Sequence, residues 1–214
     1  MSVQRGPTVV KLGGSLAEGR RLTSIMEIVG AARQSCVIVP GGGTFADAVR
    51  AAHKKHRLPE IVSHRMALLA MHQTGMMLAS MHARLVPVDT LAGIRRVLAA
   101  SRIPVWLPLK LTEADKTISA DWRTTSDALA ARLAERLRAP LLLVKSCPVD
   151  PADTPARLVR RGIIDPASAE IIERAQLSWR VLGAGDEAEL AERLGVTYRS
   201  GRRKPAKRAI ARRR

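Results

Sequence analysis

Before residue 60 the chain twice writes the same unit: a short apolar strand, a glycine turn, then a helix. Residues 8–12 (TVVKL) run into Gly13-Gly14-Ser15, and helical spacing follows over residues 22–34, with Ile25, Ile28 and Val29 on one face. Residues 36–39 (CVIV) run into Pro40-Gly41-Gly42-Gly43, and residues 44–56 again read as helix. Strands this continuously apolar are covered on both faces, and helices between them make neighbouring strands parallel. The pattern predicts an α/β fold: a three-layer sandwich around a mainly parallel open sheet.

Later segments extend the same alternation. Residues 59–82 form a long helical stretch rich in Met and Leu, expected to break or bend near Gly75. Strands are expected at 85–88, 105–107, 141–145 and 179–182, with a last edge strand at 196–198. Helices are expected from Asp89 or Thr90 to Ala100, from Thr125 or Ser126 to Leu137, from Asp165-Pro166 to Gln176, and over 187–194. The Asp-Pro pair joins an N-cap to a proline at the first helical position. Residues 110–123 and 148–155 read as loops. The sum is one domain of six or seven strands over residues 1–198.

Charge needs dissecting. The 214 residues carry 36 Lys and Arg against 19 Asp and Glu, a net charge of +17. Residues 199–214 hold nine of the basic side chains and no acidic one, so about half of the excess lies in a tail that composition predicts to be disordered. The tail is a weak binder of phosphate backbones, a solvated extension, or an arm that packs on an acidic neighbour. With aromatic residues at 2%, the body lacks the stacking surface of a single-strand binder and is no evident nucleic-acid module. Cys36 and Cys147 fit no disulfide framework or metal spacing and read as buried free thiols. No apolar run reaches the roughly 18 residues of a membrane span, and no signal-peptide pattern opens the chain, so it reads as cytoplasmic.

Chemistry belongs at the carboxyl ends of the strands, where open α/β sheets bind ligands. Both glycine turns and Lys145 fall at such ends. Glycine lets backbone N–H groups approach and converge on an anion, and a helix start behind them adds partial positive charge. Each turn alone reads equally well as a tight connection; together with Lys11 they suggest a bed for a chain of phosphates. Residues 14–21 (GSLAEGRR) are no P-loop, because Arg20-Arg21 stands where Lys and a hydroxyl are needed. Residues 41–46 (GGGTFA) lack dinucleotide-binding spacing. Asp127 is either a first-turn acid that complements the helix dipole or a carboxylate that orients a lysine. His64, His72 and His82 stand eight and ten residues apart, a spacing that clamps no metal on one helix, so no metal site is assigned. His64 and Arg65, near a helix start, are candidates to touch an anionic substrate.

Residues 9–16 (VVKLGGSL), 39–45 (VPGGGTF), 124–130 (TTSDALA) and 141–146 (LLLVKS) resemble, in that order, the motifs of the amino acid kinase superfamily. The resemblance covers roughly residues 8–185. It implies that Lys11 stabilises the transferring phosphoryl group and that Asp127 holds the catalytic lysine. It further implies that Gly13, Gly14, Ser15, Lys145 and Ser146 line the nucleotide phosphates, with Gly41, Gly42, Gly43 and Thr125 on the acceptor side. ATP with Mg²⁺ would be the donor, and a homo-oligomer is expected, with the Met-rich helix as its face. Short length and residues 63–79 look most similar to the small kinases of methanofuran biosynthesis, which phosphorylate an aminomethylfuran-methyl phosphate to its diphosphate. Many relatives carry a second lysine in the C-terminal part. Here no lysine occurs between Lys145 and Lys204, so either Lys145 or an arginine such as Arg160 or Arg161 stands in for it, or ATP is held differently. Two other readings stay open: a non-catalytic nucleotide-binding member of the fold, and a nucleic-acid-associated protein acting through its basic tail.

Overall fold

A computed structural model of the chain describes residues 6–19, 21–118 and 124–198. The expected basic tail at 199–214 and the end of the expected 110–123 loop lie outside the described residues. Six strands form one sheet, β1 (Thr8–Leu12), β2 (Cys36–Pro40), β3 (Leu85–Val88), β4 (Ile103–Trp106), β5 (Leu141–Val144) and β6 (Trp179–Leu182). Their order is β3-β4-β2-β1-β5-β6, and every pairing is parallel. The expected α/β sandwich with an open sheet is the fold observed.

Strand periodicity sorts the side chains into two layers. Val9, Val37, Val39, Leu141 and Leu143 face one core, built with α3 (Glu60–Ser80), α4 (Leu91–Ala99), α6 (Ser126–Leu137) and α8 (Pro166–Arg174). Val10, Leu12, Ile38, Leu142 and Val144 face the other, built with α1 (Arg21–Gly30) and α9 (Glu187–Arg193). Lys11 shares the parity of Val9, so its side chain enters the layer that holds α6. The chain builds outward from β1 to β2 and on to the edge strand β3, inserts β4 between β2 and β3, then returns to place β5 on the other side of β1. That reversal puts the sheet's switch point between β1 and β5, where a crevice opens at the strand ends.

Several expectations need correcting. α3 runs unbroken through Gly75, which is there for clearance: a Cβ on it would lie 2.8 Å from Leu107 Cδ2 and 3.3 Å from Pro40 Cγ. No strand forms at 196–198, because Gly195 at φ 68° turns the chain back and Val196 N–H bonds to Ala191 O at 2.8 Å, capping α9. Strand β4 starts two residues before the expected 105, at Ile103, and ends at Trp106. The expected 110–123 loop contains a short helix, α5 (Leu109–Glu113), too brief to show a period. The 148–155 loop ends in α7 (Pro155–Arg160), which Thr154 caps by accepting from Arg157 N–H. Cys36 is buried and its thiol is pushed by that burial up to about 12, whereas Cys147 lies beyond β5 and is exposed.

Candidate active site

The site starts from Lys11 on β1. Its ammonium, almost fully buried, meets Asp127 Oδ1 at 2.7 Å. Asp127 stands in the first turn of α6, whose start is fixed by the Thr125 side chain accepting from Asp127 N–H. Its second oxygen, Oδ2, accepts from Lys145 Nζ at 2.5 Å, and Lys145 follows directly on β5. One carboxylate therefore bridges two lysines from the two strands flanking the switch point. Of the two readings open for Asp127, orienting a lysine is the one the geometry favours.

Electrostatics follow from that triad. Burial pushes the Asp127 carboxyl up, but the Lys11 and Lys145 ammoniums together overcome it and hold the group below its ordinary range. Lys145 is lowered by its own burial and by Lys11, against the opposing pull of Asp127. Within the triad two cations face one anion, a local excess of positive charge that favours an anionic ligand, although the Asp165 carboxylate also acts on Lys145.

Around it the two glycine turns lie backbone against backbone. A Cβ on Gly41 would stand 2.3 Å from Gly14 N, and one on Gly14 would stand 2.5 Å from Gly43 N. Only glycine permits that approach. Ser15 and Ser146 hydroxyls, 2.8 Å apart, tie the first turn to the loop after β5. Arg21 fixes the same loop: Nη1 donates to Lys145 O at 3.0 Å, Nη2 to Gly183 O at 2.8 Å, and Nε to Glu187 at 2.6 Å.

These elements surround a groove of about 660 Å³. Of the residues expected there, Lys11, Gly14, Ser15, Gly42, Gly43, Thr125, Asp127 and Lys145 line it together. Gly13 and Gly41 do not line it: their N–H groups donate to Val144 O and Leu12 O and continue the sheet. Ser146 contributes only through Ser15. His64 is buried and lines an adjoining pocket of about 330 Å³ that shares Gly42, Ala46, Arg50, Thr125 and Ser126 with the groove. Arg65 belongs to neither cavity and pairs with Glu113 at 3.0 Å on the surface. Its phase on α3 turns it away from the sheet, which a position near a helix start does not reveal.

Sequence reasoning missed other lining groups. Arg50 and Asp47 come from α2 (Gly43–His56), and Val159, Ile163 and Ile164 supply an apolar wall. Asp165, expected only as a cap, does more. It accepts from Ser168 N–H at 2.6 Å, from the Thr125 hydroxyl at 2.5 Å and from Ala128 N–H at 3.3 Å, holding the starts of α8 and α6 together. Burial raises its pKa against those hydrogen bonds. Among the described residues, no group of three or more His, Cys, Asp or Glu is placed to hold a metal ion. The donor set suits a polyphosphate instead: two ammoniums, a helix start and glycine backbone, beside an apolar wall for an organic group. A divalent ion would enter on phosphate oxygens.

Residues 6–148 match the amino acid kinase family. The chain belongs to that family. Over 131 residues it is 29% identical to the [5-(aminomethyl)furan-3-yl]methyl phosphate kinase of Methanocaldococcus jannaschii, a match that covers 60% of each protein. Among solved structures it is similar to the uridylate kinase of Archaeoglobus fulgidus, with a TM-score of 0.66 and 20% identity over 88% of this chain and 95% of that one. The UMP kinase of Ureaplasma parvum superposes with a TM-score of 0.62 and 12% identity over 83% and 89% of the two chains. At such identities the two structures carry the fold, and the amino acid kinase fold is that of this chain.

Proposed function

We propose that this protein is a cytoplasmic kinase that moves the γ-phosphoryl group of ATP to a small phosphomonoester, giving a diphosphate, with an aminomethylfuran-methyl phosphate as its acceptor. The observation that carries the reading is Asp127 bridging Lys11 and Lys145 at the bottom of the groove. Membership of the amino acid kinase family supports the reaction class, and the Methanocaldococcus jannaschii relative supports the acceptor.

In this reading an acceptor phosphate oxygen forms a bond to Pγ as the bond from Pγ to the β–γ bridging oxygen breaks, and ADP leaves. Lys11 and Lys145 lie where negative charge spreads over the transferring oxygens, and catalysis is chiefly positioning and electrostatic stabilisation. Asp127 keeps both ammoniums aimed and is not a base, since each of its oxygens is engaged. A phosphomonoester needs no base: with a second pKa near ~6 it arrives largely ionised. Lys145 takes the place of the second lysine usual among relatives. Mg²⁺, bound through ATP, would neutralise phosphate charge. The acceptor sits toward Gly42, Gly43, Thr125 and His64, and the nucleotide toward Val159 and Ile163. The protein works as a homo-oligomer through the exposed apolar face of α3.

The test is ADP release with ATP, Mg²⁺ and a panel of furan, isoprenoid and nucleoside monophosphates. The furan phosphate is expected to give the highest kcat/KM, and Lys11→Ala or Asp127→Asn to lower kcat at least a hundredfold, on the order of what one lost transition-state contact costs. Silence across the panel would favour a non-catalytic nucleotide-binding protein, and turnover indifferent to both substitutions would remove Lys11 and Asp127 from the chemistry.

A further inference from the structure

The groove and the adjoining pocket meet at one wall, and one cation stands in it. Ala46, Asp47 and Arg50 line the groove three, four and seven residues past Gly43, which also lines it, so the four share one face of α2. A helical side chain leans toward the N-terminus of its helix and covers surface about one turn back. Arg50 does so: its Nη1 reaches Asp47 Oδ1 at 2.5 Å, a turn nearer the glycine loop. Both partners are about two-thirds exposed, at 63% and 62%, so the pair is weak and open to exchange. Lys11 is buried, Lys145 is largely covered, and both are committed to Asp127, whereas Arg50 lines both cavities. The rest of the smaller pocket is largely apolar, with Ala67, Leu68, Met71 and Leu129 in its wall.

We propose that Arg50 is the specificity residue for the acceptor's own phosphate. The organic part of the acceptor fills the smaller pocket, and the guanidinium leaves Asp47 to hold two terminal oxygens of the phosphomonoester in its planar fork. The third terminal oxygen stays free to attack, and Arg50 exchanges no proton. A single carboxylate loses this exchange to a dianion, so the pair with Asp47 parks the arginine when no acceptor is bound. An alcohol without the phosphate gives Arg50 nothing to hold, and the enzyme discriminates against it. This deepens the kinase reading and rests on it.

Steady-state ADP release with [5-(aminomethyl)furan-3-yl]methyl phosphate tests the proposal in wild type, Arg50→Gln and Arg50→Lys, all at an exposed position where folding is not at stake. Arg50→Gln is expected to raise the acceptor KM roughly ten- to a hundredfold, the range for a lost charged hydrogen-bond pair, with the ATP KM within about twofold of wild type. Arg50→Lys should fall between, because an ammonium restores charge without the fork. An unchanged acceptor KM, or a rise in the ATP KM in its place, overturns the assignment. If wild type does not turn over this acceptor, the kinase reading fails at its substrate, and calorimetry with inorganic phosphate decides Arg50 separately. A drop of tenfold or more in phosphate affinity in Arg50→Gln supports the proposal; equal affinity in the two proteins overturns it.

Discussion

A carboxylate shared by one buried and one largely covered ammonium is stable only because each charge has a partner, and Asp127 supplies both. With Asp127→Asn, Lys11 and Lys145 face each other across a neutral amide. Breaking a buried pair from one side costs about 3–5 kcal/mol, and that loss is expected in urea unfolding. Added pyrophosphate should return part of it by replacing the missing negative charge, and a deficit indifferent to pyrophosphate would remove the groove from anion binding. The pH dependence follows from the same contacts. Lys145 is held below the ordinary lysine value, so between its folded and unfolded pKa the unfolded chain binds more protons. Its contribution to stability therefore rises with pH through that window, up to about 10.4, while kcat falls there as the ammonium loses its charge. Titrating both quantities in one buffer series checks the opposed signs.

Among the elements, the two glycine turns are the joint on which the site depends. Gly41→Ala would drive a methyl against the backbone nitrogen of Gly14, where nothing flexible can yield. Gly162→Ala meets no atom within 4 Å and carries only the strain of φ 66°. Chemical denaturation should therefore show a cost above about 3 kcal/mol for Gly41→Ala and about 1–2 for Gly162→Ala; equal costs would mean that the turns are not in contact. These turns were legible because a strand covered on both faces leaves an unbroken apolar run and glycine punctuates its end. The order of the sheet, and with it the switch point, was not legible, since nothing local says that β5 returns beside β1. Helical phase is the legible signal for Arg50, which lies seven residues past Gly43 and so shares its face, whereas nearness to a helix start, the signal at Arg65, does not fix the direction of a side chain. The strand expected at 196–198 failed for a local reason, as Gly195 caps α9 and consumes the Val196 amide.

At the scale of the molecule, the excess of positive charge and the apolar face of α3 constrain each other. Leu68, Met71 and Leu78 fix one side of α3 to the sheet, leaving Ile61, Val62, Leu69, Met76 and Met77 exposed on the other, with Met81 exposed just past its end. Over 21 residues that face is about 31 Å long, the reach of an ordinary dimer contact. Across a two-fold axis a surface meets its own copy, so on a body this basic most surfaces repel themselves. The α3 face does not, because its central Arg65 is already paired with Glu113 and its other exposed members are largely apolar. Sedimentation of wild type at micromolar concentration is expected to give a dimer, and Leu69→Glu with Met76→Glu a monomer that keeps its fold, since both positions are exposed. A wild-type monomer, or a dimer that survives both charges, would move self-association off this helix.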